Sequence, residues 1–194
     1  MKELKKQLKE NHIYSCYLYY GTEYYLKTIY TNLLKKTLLE PSAETMNMDI
    51  FEGNKQSVSS ILDSAETLPF LSEKRLVIVK ESGLFQQGRK NDTEKIADYI
   101  KTIPSTTCIL FIENDVDKRG KLFKAVSKYG YIAEMNGLSE KELLYWITRE
   151  CKKNKFQIET KTAAYLLRTV GGEMTQLEEE IKKLGGFLPE NAYA

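Results

Sequence analysis

Runs of aromatic and β-branched residues alternate along this chain with stretches in which apolar residues recur every three or four positions. Residues 14–20 read as a strand, and a helix is expected over about 22–39. Residues 46–51 predict a second strand, and Val58, Ile61, Leu62 and Ala65 fall on one helix face. Leu76, Val77, Ile78 and Val79 carry no polar break, which predicts a strand buried on both sides. After a polar loop at 86–91, a helix over about 93–102 leads to another buried strand at 107–112. A basic helix and a short strand at 131–134 follow. Strands separated by helices in this rhythm predict an α/β fold, a parallel sheet of about five strands covered on both faces.

The pattern changes near Gly137. Ser139 and Glu142 have capping-box spacing ahead of Leu143, Leu144 and Ile147, so a helix starts there. A second helix from Thr160 or Lys161 to Val170 is expected to stop at Gly171 and Gly172, and a third over 174–184 to stop at Gly185 and Gly186. Pro189, Glu190 and Asn191 read as a turn, and Trp146 as part of the core of this bundle. Two domains are therefore expected: an α/β domain over 1–137 and a small three-helix domain over 138–194.

Composition narrows the chemistry. With 29 basic and 27 acidic residues the net charge is +2, too small for a general affinity for polyanions; any contact with nucleic acid needs a local patch. Cys16, Cys108 and Cys151 are far apart and form no C-x-x-C pair, so they read as small buried residues in a reducing compartment. The single histidine, His12, near a terminus expected to be mobile, argues against His-based metal sites and catalytic triads; its own reading is a solvated polar residue. The start is charged without a signal-like apolar run, and no later run reaches membrane-spanning length. A cytoplasmic protein with no membrane contact is expected.

An α/β domain followed by a small helical lid is the outline of an AAA+ (RecA-like) ATPase, so the phosphate-handling residues decide the chemistry. A G-x-x-x-x-G-K-[ST] loop should follow the first strand. The chain has Gly21, Thr22, Glu23, Tyr24, Tyr25, Leu26: Glu23 would repel phosphate, and two tyrosines replace the small residues that let the backbone approach it. Lys27 alone does not restore the motif. The buried run ending at Val79 is followed by Lys80, a cation where a magnesium-binding carboxylate should stand, although Glu81 comes next. In the lid, Gly172, Glu173 and Met174 lead to Thr175, where active ATPases of this outline tend to carry an arginine. A degenerate nucleotide site at Gly21, Glu23, Lys80 and Thr175, with no cofactor, metal or catalytic residue, is expected.

The segments 18–26 (LYYGTEYYL), 67–79 (TLPFLSEKRLVIV) and 117–124 (DKRGKLFK) together resemble the bacterial DNA polymerase III clamp-loader delta subunit, as does 170–174 (VGGEM) with 177–184. The resemblance covers the family's first two domains; the third, a helical collar through which such subunits join the loader, has no counterpart in the chain. It implies a non-catalytic subunit of a DNA-directed DNA polymerase holoenzyme that binds and opens the sliding clamp (the beta subunit) for loading onto primed DNA. The matching contact would be the tip Phe70 and Leu71, with Pro69 and Leu68 beside it. Without the collar the chain is expected to be monomeric, with any DNA contact indirect or weak.

The residues agree with that implication, because the helix before the tip already has its core stripe and Pro69 forces a break, leaving Phe70 and Leu71 to project. The alternative is that both fold back as core. Lys118, Arg119, Lys121, Lys124 and Lys128 recur on and near one helix face, as a solvated surface or as a DNA-facing patch. Tyr19, Tyr20, Tyr24 and Tyr25 read as packing residues rather than base-stacking ones. Two rival functions remain: a DNA-binding module of a replication or repair complex using the basic helix, and an enzyme on a degenerate nucleotide fold.

Overall fold

Along the first strand, Cys16–Tyr20 (β1), side chains alternate between two cores: Cys16, Leu18 and Tyr20 face one, Tyr17 and Tyr19 the other. The computed structural model describes residues 2–10, 12–189 and 192–193. Four further strands, Met48–Glu52 (β2), Arg75–Lys80 (β3), Thr107–Glu113 (β4) and Tyr131–Glu134 (β5), join β1 in a parallel sheet of order β2-β3-β4-β1-β5. All seven residues of β4 are buried, as a central strand with helices on both faces requires.

The helices divide between the two faces. Lys2–Lys9 (α1) and Tyr24–Leu38 (α2) contribute Leu4, Leu8, Leu34 and Leu38 to the core containing Tyr17, Ile78 and Leu110. Val58–Glu66 (α3), Lys90–Tyr99 (α4) and Lys121–Tyr129 (α5) contribute Ile61, Ile96 and Val126 to the core containing Leu18, Val77 and Phe111. This unit, Met1–Asn136, is compact in itself.

The second compact unit, Gly137–Ala194, holds Glu140–Lys153 (α6), Thr160–Val170 (α7) and Met174–Phe187 (α8). The capping box of Ser139 and Glu142 is formed, and Gly171 ends α7 at φ 93°, a conformation that favours glycine.

Several sequence expectations are corrected. The charged start forms α1, because Leu4 and Leu8 sit one turn apart and bury together. His12, just beyond it, is exposed and lies edge-on to Tyr14 at 5.3 Å. Strand β2 begins at Met48, since residues 44–46 form a 3-10 turn. Helix α8 runs through Gly185 and Gly186 to Phe187, just before Leu188 and Pro189. Gly185 is a close-approach position: a Cβ there would lie 3.1 Å from Asn154 and 3.4 Å from Phe156. The core stripe of α6 is Leu143, Ile147 and Cys151, so Trp146, one position off it, is only half-buried. Of the turn read at Pro189, Glu190 and Asn191, the last two lie outside the described residues.

Candidate functional site

Helix α3 ends at Glu66, and its cap, Thr67, donates through its hydroxyl to the Asp63 carbonyl at 2.8 Å. The stripe Val58, Ile61 and Ala65 is buried, so α3 has no further core surface to offer the residues that follow. The segment 67–74 leaves the helix through Pro69 and carries Leu68 75%, Phe70 54% and Leu71 83% exposed. Neither Phe70 nor Leu71 is core. Exposed apolar side chains grouped this closely on one tip are a feature of binding surfaces.

The backbone under this tip is firmly held. Asn47, fully buried, donates from Nδ2 to the Phe70 carbonyl at 2.8 Å and accepts the Phe70 N–H on Oδ1 at 2.6 Å. Beside it, the buried Arg75 guanidinium donates to the Met46 carbonyl at 3.1 Å and pairs with Asp49, which also accepts from the Ser64 hydroxyl. These bonds tie together the end of α3, the start of β2 and the start of β3. Leu71 has φ 48°, a left-handed conformation rare for a side chain of its size. A pocket of about 500 Å³ lies alongside, lined in part by Leu38, Leu39, Pro41 and Leu71. Sequence reading missed Asn47, which stands between Met46 and Met48 in a stretch where Thr45 and Asp49 are polar as well, so no local pattern singles it out.

At the degenerate nucleotide position, Gly21 has φ 125°, and a Cβ there would collide with the Met135 carbonyl. Glu23 is the N-cap of α2 and accepts the Tyr25 N–H at 3.0 Å. A carboxylate of the chain itself thus occupies the helix end that would cradle a phosphate. Lys27 is buried, with Nζ donating to the Glu113 carbonyl at 3.2 Å and to Asn114 Oδ1 at 2.7 Å. Burial lowers its pKa, against the opposing pull of Glu81, Glu113 and Glu23. Lys80 pairs with Glu52 at 3.5 Å, and Thr175 is exposed in the first turn of α8. Tyr19, Tyr20 and Tyr25 pack as expected; Tyr24, which opens α2 and points about 100° away from Tyr25, is 72% exposed. Among the described residues, no cluster of three or more His, Cys, Asp or Glu could hold a metal ion.

The basic residues do not form one open patch. Lys118 and Arg119 precede α5. Lys118 pairs with Glu134 at 3.0 Å, Arg119 with Asp117 at 3.3 Å and Lys121 with Asp98 at 3.2 Å. Lys124 is exposed, and Lys128 sits 5.1 Å over the Tyr129 ring. Nearby acidic partners weaken the local positive field a DNA backbone would meet. Among the described residues, no helix is long and apolar enough to cross a membrane.

The strand order and the βα connections give the first unit the parallel α/β fold of AAA+ domains. In fold the chain is similar to the Thermotoga maritima RuvB Holliday junction branch migration motor, with a TM-score of 0.57 at 15% identity, covering 95% of this chain and 61% of that one. Residues 17–136 match the family model described as DNA polymerase III, delta subunit, and the chain belongs to that family. It is 29% identical over 191 residues to DNA polymerase III subunit delta of Bacillus subtilis, covering 94% of this chain and 55% of the relative. The solved structure of the Bacillus subtilis DNA clamp loader delta protein matches all of this chain and 59% of its own, with a TM-score of 0.81 at 26% identity. The chain thus spans little more than half the length of these relatives.

Proposed function

We propose that this chain captures a sliding clamp ring through Phe70 and Leu71 and favours an opened interface, so that the ring can be passed around primed DNA. The observation that carries this reading is the exposed apolar pair, held on a pinned backbone, in a chain of the delta family. Burying two such side chains in a partner is worth about 1.5 to 3 kcal/mol each, enough for them to dominate the contact. Leu68 and Pro69 border the pair and contribute shape.

The action is mechanical. The clamp exists in closed and opened forms, and a subunit that binds the opened form better shifts the ring toward it by its differential affinity. No bond is made or broken by this chain. Glu23 caps the helix end where phosphate would bind, and Lys27 already has two oxygen partners, which supports a reading in which ATP is handled by neighbouring loader subunits. In this reading the neighbouring subunits join through a collar domain of the delta family, and the second compact unit, Gly137–Ala194, is the lid. The work is cytoplasmic, and the basic residues face DNA at most weakly within the assembled loader. Titrating the chain onto the sliding clamp of the same organism, immobilised on a surface, tests the reading: saturable binding supports it, and no binding removes it.

A further inference from the structure

We propose that Asn47 is a positioning residue that holds the tip in its binding conformation before any partner arrives; the inference rests on the clamp reading above. The Asn47 main chain is itself fixed to its surroundings. Its N–H donates to the Ala43 carbonyl at 3.2 Å and its carbonyl accepts the Leu76 N–H at 2.8 Å, so the side chain stands on a post joined to β3. From that post the carboxamide meets the Phe70 peptide as a second strand would, accepting its N–H and donating to its carbonyl. The remaining Nδ2 hydrogen goes to the Ala43 carbonyl at 3.0 Å. Both donors are used, and the oxygen is engaged.

This pairing fixes residue 70 on a segment with no regular secondary structure of its own. Leu71, next in the chain, sits in a sparsely populated backbone region. Such a conformation persists only where the surroundings over-determine it, and it recurs at ligand clamps. With the Phe70 peptide held against Asn47, both side chains stay exposed, although the aqueous medium favours their collapse onto the neighbouring pocket. A tip ordered in advance loses less freedom on binding. Among side chains of this size only a carboxamide has both a donor and an acceptor in one plane; an aspartate would keep the acceptor and lose both donors.

The test compares the chain with its Asn47→Ala and Asn47→Asp variants for binding to the sliding clamp of the same organism, with rates resolved. If the free tip is positioned by Asn47, affinity falls by about 10- to 100-fold in Asn47→Ala, through slower association, because only a fraction of free molecules remains competent. Dissociation stays within about 3-fold, since the bound clamp itself fixes the tip. A loss carried by faster dissociation, or affinity within about 2-fold of the parent chain, overturns the positioning role. Hydrogen exchange on the parent chain gives a second test should the variants fail to fold: the Phe70 amide must be protected like those of β3 in the free protein. Exchange at the rate of an unstructured amide overturns the inference while leaving the clamp reading standing. Absence of clamp binding by the parent chain overturns both.

Discussion

The Glu113 carboxylate accepts hydrogen bonds from both the main-chain N–H (3.0 Å) and the hydroxyl (2.6 Å) of Ser82. The bonds lock the turn after β3 to the end of β4, in a place where the carboxyl group is buried. Burial pushes its pKa from 4.5 up to about 7, outweighing the two Ser82 bonds and Lys27, which pull the other way. The folded protein therefore binds more protons than the unfolded chain between about pH 4.5 and 7, and the stability Glu113 contributes at low pH is lost as pH rises through that window.

Replacing Glu113 with Gln keeps an acceptor for Ser82 and removes the titration. At pH 8 the variant should be more stable than the parent, on the order of 1 to 3 kcal/mol, and so melt at a higher temperature; the two should differ little at pH 4.5. Melting curves at the two pH values check this. Parallel pH dependence in the two proteins would show that Glu113 is not the group responsible.

Gly21 stands where a Cβ would meet the Met135 carbonyl and lie 2.7 Å from Asn136 Oδ1, in a left-handed conformation. Gly21→Ala should cost about 2 to 3 kcal/mol, from strain and overpacking together. The expected readout is a melting temperature lower by roughly 5 to 10 °C. An unchanged midpoint would mean that β5 and the turn after β1 move apart at no cost.

Glu23 at the N-terminus of α2, and Lys27 engaged by Glu113 and Asn114, leave the degenerate loop without a phosphate cradle. Calorimetry with magnesium-ATP should show no saturable heat at nucleotide concentrations up to about 1 mM, the weakest range in which a specific site would register. A micromolar site would contradict the assignment of ATP chemistry to other subunits.

The sheet was legible in the sequence because its inner strands contain continuous apolar runs, as in 76–79 and 108–112, which burial on both faces explains. The ends of elements were less so. Gly185 reads as a helix stop by the same rule that succeeds at Gly171, yet it serves the close packing of α8 on Asn154, a tertiary demand that no local pattern carries. Leu4 and Leu8 are too few to mark a helix among lysines, although their spacing is right. Of the candidate site, the projecting pair could be read from Pro69 and the filled stripe of α3. Asn47 could not be connected to Phe70, because the two are 23 residues apart and meet only when β2 and β3 pair.

The most direct measurement is clamp affinity and melting temperature together for the variant carrying Phe70→Ala and Leu71→Ala. Because these side chains are 54% and 83% exposed, their removal should leave the melting temperature within about 2 °C, whereas core Phe or Leu truncations cost roughly 2 to 5 kcal/mol each. Affinity for the sliding clamp should fall by at least about 100-fold, the loss of two dominant anchors. A variant that stays folded and binds the clamp as the parent does would contradict the account, because the contact would then lie elsewhere on the chain.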